Sequence, residues 1–203
     1  MRFLTRTLFG LLLLSPAFAT AQDVPPPSPI ATARLLVDAP TVNAGTPITA
    51  AVQFTMPAHW HIYWQNPGDS GIPTTFAWTL PEGLNAGDIA WPAPERIETE
   101  GLITYGYSNA VTLTVPLTPT KDGVTGDVKL KANRLVCKDI CIPESAALSA
   151  PLVANPEAAT LAAAAQTRVP QPFTGSANFT ATQDNVLLHL AQQNPWGDVK
   201  NVR

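Results

Sequence analysis

Ala110-Val111-Thr112-Leu113-Thr114-Val115-Pro116-Leu117 alternates apolar and polar side chains from Val111 to Val115. In a strand, where successive side chains point to opposite faces, Val111, Leu113 and Val115 share one face and Thr112 and Thr114 the other. Only one face is apolar enough to bury. Outward from this stretch, similar runs occur at 74–80, 32–37, 48–55 and 127–136, separated by turn-forming residues. In the run at 74–80, Phe76 and Trp78 fall on one face, and Thr75, Ala77 and Thr79 on the other. Short alternating runs between turn signals predict an all-β sandwich. The chain has 21 prolines and 12 glycines, and only 13% of its residues are charged, a composition that disfavours long solvated helices. Pro40, Pro47, Pro57, Pro73, Pro81, Pro116, Pro119 and Pro143 sit at or between the runs, as edges and turns require.

The amino terminus reads as an export signal over residues 1–21. Arg2 and Arg6 precede the apolar run 8–14, and Pro16 and the small residues Ala17, Ala19 and Ala21 suit a signal peptidase. The apolar run is too short to span a bilayer. Residues 22–30 follow as a leader whose Pro25-Pro26-Pro27 cannot join a ladder. The sandwich then occupies 31–152, and 153–172 form a linker with a short helix. Asn155 is a candidate cap for that helix, Pro156 its first position and Glu157 part of its first turn, ahead of an alanine-rich run. With few large apolar residues, the helix reads as a connector. Residues 173–203 read as the truncated start of a second β domain: 176–182 and 186–191 flank Gln183-Asp184-Asn185, a hairpin turn. Two strands do not make a stable domain alone, so the alternative is that this hairpin packs on the first sandwich.

A formal net charge of −3 and the lack of a basic stripe argue against nucleic-acid binding. Chemistry points instead to Cys137-Lys138-Asp139-Ile140-Cys141, which holds both cysteines of the chain. An exported protein meets oxidising conditions, where such a pair forms a disulfide. Closing so short a loop contributes only about 2 kcal/mol on the chain-entropy model, so the pair suits exchange better than stapling. Cys137 ends a strand, and Cys141 is expected in the turn after it, with Pro143 blocking further pairing. Arg134 and Lys138 favour a thiolate there, whereas Asp139 and Glu144 oppose it. A purely structural bond in an interaction module is the competing reading.

Two further motifs are open to a chemical reading. The cysteine spacing also suits Cu(I), and His59 and His61, placed two apart on an expected strand, share a face that could complete a copper site. Gly68-Asp69-Ser70-Gly71 resembles the nucleophile motif of chymotrypsin-like proteases. Ile72 stands where that family has glycine, however, and one small sandwich cannot house the two barrels, so Asn66-Pro67-Gly68-Asp69-Ser70-Gly71 reads as a tight, turn-rich loop. Tyr63, Trp64, Trp78 and Trp91 read as packing aromatics.

Taken in order, Trp60-His61-Ile62-Tyr63-Trp64, Pro67-Gly68-Asp69-Ser70-Gly71, Trp78-Thr79-Leu80-Pro81, Trp91-Pro92, Tyr105-Gly106-Tyr107 and the run from Val136 through both cysteines to Pro143 form a specific pattern. It resembles the N-terminal periplasmic domain of the DsbD/ScsB thiol:disulfide interchange family over about residues 31–150. The resemblance implies an immunoglobulin-like sandwich that is periplasmic and tethered to the inner membrane in the full-length protein. It implies a protein-disulfide reductase activity in which Cys137 and Cys141 are the redox pair and Cys141 forms the mixed disulfide. The implied partners are a membrane electron-carrying domain, a thioredoxin-like domain of the same system, and periplasmic thioredoxin-like or disulfide isomerase proteins, including those of cytochrome c biogenesis and copper tolerance. No cofactor or metal is implied. The family also has a cap loop over the sulfurs, and Tyr105, Gly106 and Tyr107 stand where it belongs. The narrow cysteine spacing resembles the ScsB side of the family.

Overall fold

The computed structural model describes residues 28–183 and 185–191, so the expected export signal, most of the expected proline leader, Asp184 and the last residues lie outside the described part. In chain order the strands are β1 (Thr32–Asp38), β2 (Ile48–Thr55), β3 (His61–Gly68), β4 (Thr75–Thr79), β5 (Leu84–Ala86), β6 (Glu95–Thr99), β7 (Leu102–Ser108), β8 (Ala110–Pro119), β9 (Asp127–Cys137) and β10 (Cys141–Pro151). Then come helix α1 (Pro156–Gln166) and the pair β11 (Ser176–Ala181) and β12 (Val186–Ala191). The fold is the expected immunoglobulin-like sandwich. One sheet has the order β1-β2-β8-β5 and the other β10-β9-β3-β7-β6, with β4 pairing on β9.

The alternating residues fill the space between the sheets. Val52 and Phe54 of β2, Val111, Leu113, Val115 and Leu117 of β8, Val128, Leu130 and Val136 of β9, and Ile62 of β3 are all buried in one core. Phe76 and Trp78 pack against that core, while Thr75, Ala77 and Thr79 are exposed. Arg134 breaks the rule, taking an inward position of β9 between Ala132 and Val136.

The helix begins as its caps dictate: the Asn155 side chain accepts from the amides of Glu157 and Ala158, and Pro156 opens the first turn. It does more than connect. It packs on β1, β2 and β8, with Ala158 and Ala165 buried. The register row Leu36, Ala51 and Thr114 on the outer face of that sheet is therefore buried as well, so the threonine face of β8 is not a solvent face. Small side chains on the helix are what allow so close an approach.

Strand β10 corrects the expectation for Cys141 and Pro143. The turn is confined to Lys138, Asp139 and Ile140, and β10 pairs with β9 from Cys141↔Cys137 to Pro151↔Asp127, including Pro143↔Leu135. β10 is the sheet's edge, and an edge strand tolerates a residue that cannot donate to a further neighbour.

Candidate redox site

Strands β9 and β10 deliver the cysteines to facing positions at the tip of one hairpin. Cys137 and Cys141 are register partners joined by a disulfide, with 4.1 Å between their Cα atoms. By the alternation of both strands, the sulfurs lie on the face opposite Val136 and the core, with Leu135 and Pro143 on the same side. The two thiol positions are unequal. Cys137 is 1% exposed, whereas Cys141 is exposed beside Ile140, itself 64% exposed. A partner's sulfur therefore has access to Cys141 and not to Cys137. The Lys138–Asp139 ion pair in the turn, 3.5 Å apart, lies at the surface and contributes little.

The base of the hairpin is held by Arg134 and Glu144. Arg134 Nη2 donates to Glu144 Oε2 at 2.6 Å and to the Ala31 carbonyl, and the Glu144 carboxylate accepts from the amides of Ile30 and Ala31. The Arg134 side chain is 0% exposed and its guanidinium lies over the Phe54 ring, 5.5 Å from the centroid. Burial lowers its pKa, and the Glu144 charge opposes that shift. The contacts of both residues tie the hairpin to the start of β1.

On the other side of the pair stands Tyr63, 3% exposed, with its hydroxyl 3.8 Å from Cys141 Sγ and 3.3 Å from His61 Nε2. The His61 and Tyr63 rings meet edge-on at 5.2 Å. Gly71 makes room for the tyrosine: its φ is +107°, and a Cβ there would fall 2.3 Å from the Tyr63 ring. Of the loop expected over 66–71, Asn66, Pro67 and Gly68 instead belong to β3, and the turn is confined to the residues after it, where Gly71 packs on Tyr63. Asp69 is clasped to β7, since the Ile103 amide donates to Asp69 Oδ2 at 2.8 Å and the Asp69 amide donates to the Ile103 carbonyl at 2.9 Å.

The histidines do not form the shared face expected of them. His59 sits in a turn at φ 70° and is exposed, while His61 is buried at the start of β3 opposite Cys137. Left-handed backbone at His59 breaks the strand alternation, which removes the geometry the copper reading relied on.

Tyr105, Gly106 and Tyr107 lie within strand β7, bonded on both sides to β3 and β6, and the connection to β6 is only Glu100-Gly101, with φ of 52° and 82°. Tyr107 is a core residue whose hydroxyl donates to the Pro92 carbonyl at 2.7 Å. Burial pushes that phenol far above its usual pKa, and Arg168 only partly offsets the shift. Gly106 lets β7 pass β3, since a Cβ would come 2.3 Å from the Ile62 carbonyl oxygen. Tyr105 meets Trp64 edge-on at 6.5 Å. Tyr63 is therefore the aromatic that touches a sulfur. Sequence reading missed it because a strand aromatic looks the same whether or not a sulfur lies beside it.

A family model described as thiol:disulfide interchange protein DsbD, N-terminal, matches residues 32–152. Among solved structures, the N-terminal periplasmic domain of ScsB from Proteus mirabilis is similar over 84% of this chain and 68% of that one, with a TM-score of 0.66 and 19% identity, a likeness of fold. The Neisseria meningitidis DsbD N-terminal domain in the reduced form covers 64% of this chain and 92% of its own, with a TM-score of 0.40 and 17% identity. No curated protein gives a match.

Proposed function

Since the chain belongs to the family of N-terminal domains of the thiol:disulfide interchange protein DsbD, we propose that Cys137 and Cys141 are its redox pair and that the domain acts as a protein-disulfide reductase. Cys141 attacks a disulfide of a thioredoxin-like or disulfide isomerase partner, and Cys137 resolves the mixed disulfide. The oxidised pair is then reduced again by a membrane electron-carrying module. The observation that carries this reading is the inequality of the two cysteines, Cys141 exposed at a hairpin tip and Cys137 only 1% exposed. Exchange needs an accessible attacking thiol and a second thiol within reach of the intermediate.

The site of action in this proposal is the periplasm, which agrees with the export signal. A groove of about 300 Å³ lined by Ile72, Pro73, Leu135 and Pro143 runs along the face that carries the sulfurs and provides an apolar seat for a partner. Residues 173–203 begin a second β domain in this proposal. Ala177, Phe179, Ala181, Val186, Leu188 and Leu190 form one apolar face of the β11–β12 pair, which further strands would cover.

The test is the reduction potential of the pair, measured by alkylation trapping in a thiol–disulfide redox series. A potential well above about −300 mV marks a labile exchange pair. One below that value marks a structural bond and overturns the proposal in favour of an interaction module.

A further inference from the structure

Exchange as proposed above requires only the two sulfurs, yet a buried tyrosine hydroxyl stands beside one of them and is itself contacted by a histidine. The buried Tyr63 hydroxyl lies 3.8 Å from Cys141 Sγ and 3.3 Å from His61 Nε2, and the Ser70 side chain acts to lower its pKa against the effect of burial. We propose that Tyr63 serves as a catalytic hydrogen-bond donor to the Cys141 sulfur, and that Ser70 and His61 are positioning residues that turn its proton toward that sulfur. This rests on the exchange reading and adds to it the groups that set the reactivity of the attacking thiol.

A phenol has one proton and can donate one hydrogen bond. For that proton to point at sulfur, the other two neighbours must donate to the phenol oxygen. The Ser70 hydroxyl has a proton to give. His61 gives one when its Nε2 carries the ring proton, whereas a bare Nε2 would take the Tyr63 proton for itself. The assignment therefore fixes the Nε2–H tautomer for neutral His61. Burial raises the Tyr63 pKa, so the phenol remains a donor in the working pH range. The hydroxyl's place is enforced by the Gly71 backbone, which leaves no space for a side chain against the ring, and by the Asp69 clasp to β7 that holds the loop.

The charged groups nearest the pair along the chain and on the Gly71 loop have partners of their own. Arg134 pairs with Glu144, Lys138 with Asp139, and Asp69 accepts from the Ile103 amide. The tyrosine proton is then the donor the structure presents to the sulfur. A disulfide sulfur is a weak acceptor and a thiolate a strong one, so the bond strengthens when Cys141 becomes S⁻ and lowers that thiol's pKa. In the exchange, Cys141 S⁻ forms a bond to one partner sulfur as the partner's own S–S bond breaks. Cys137 S⁻ then attacks Cys141 Sγ and releases the partner. Two electrons pass from the cysteine pair to the partner disulfide, and the protons lost by the two cysteines are balanced by those its two thiolates take up. Tyr63 keeps its own proton throughout.

The experiment measures the alkylation rate of Cys141 by iodoacetamide against pH in the reduced Cys137→Ser protein, where it is the only thiol. Tyr63→Phe is expected to raise the apparent thiol pKa and slow alkylation at neutral pH about tenfold, the loss of one hydrogen bond to a charged acceptor. Ser70→Ala should shift the profile the same way by less, and Ser70→Thr, which retains a hydroxyl, should restore it. Nitrogen-15 NMR of His61 should report a proton on Nε2. An unchanged pH profile in Tyr63→Phe, or a bare Nε2, overturns the proposal. Should Tyr63→Phe fail to fold, the exposed Ser70 pair decides it: a shift that threonine rescues supports the donor role, and no shift refutes it. A small alkylating reagent needs no protein partner. A shifted thiol pKa in a domain whose pair has a structural potential would retain this inference and reject the exchange function.

Discussion

Arg134 stands three residues before Cys137 and Glu144 three after Cys141, and the two meet as register partners with 2.6 Å between Nη2 and Oε2. The pair closes the base of the cysteine hairpin from the core side. Its carboxylate also holds the backbone entering β1. Removing one member leaves a buried charge without its partner, which costs about 3–5 kcal/mol. Glu144→Ala is therefore expected to lower the urea midpoint by that amount of stability. A loss below about 1 kcal/mol would show that the pair behaves like a surface contact.

The unequal exposure of the sulfurs gives a trapping experiment. Mixed with an oxidised thioredoxin-like protein, the Cys137→Ser protein should accumulate a mixed disulfide through Cys141, seen on non-reducing gels. Cys141→Ser should accumulate none, because its remaining thiol is 1% exposed. The opposite pattern would reverse the roles of the two cysteines.

Tyr107 separates core from cap. Tyr107→Phe leaves the Pro92 carbonyl without its donor and should cost about 1–3 kcal/mol of stability. The rate at which dithiothreitol reduces the disulfide in the folded protein should not change. Faster reduction in this variant would place Tyr107 in the cover over the sulfurs and contradict its core position.

Burial lowers the His61 pKa from its usual 6.5. Below that value the unfolded chain takes up a proton that the folded chain resists, so stability is fully present above about pH 6.5 and declines as pH falls toward the folded pKa. Removing the imidazole should remove this part of the slope. Stability curves of wild type and His61→Gln are expected to differ by a pH-dependent amount between pH 7.5 and 5, the wild type losing more on acidification. A constant difference across that range refutes the assignment.

Helix α1 tests how far the sandwich extends. Asn155→Ala removes the acceptor for two amides and should cost about 1 kcal/mol, with one cooperative transition. A separate early transition would show that the helix unfolds independently of β1, β2 and β8.

The strands around Val111, Phe76 and Val52 were legible because alternation records locally which side chains will be buried, and the helix start at Asn155 because a cap satisfies amides within its own first turn. The exported cysteine pair likewise announced a disulfide, and one joins Cys137 to Cys141. Strand β10 was hidden by Pro143, since the sequence does not state which strand will be an edge. The histidines were misplaced because one left-handed residue, His59, shifts the face of all that follows.

By itself, then, the sequence determined the all-β class, the run of the main strands and the chemistry available at Cys137 and Cys141, since each depends on residues close in the chain. Tertiary structure alone decided that Arg134 would face Glu144 inside the sandwich, that α1 would cover the Thr114 row, and that the Tyr63 hydroxyl would reach a sulfur 78 positions away. These depend on strand register, on the sheet edge and on backbone turns at Gly71 and His59, which fix contacts between distant segments and leave no periodic trace in the chain.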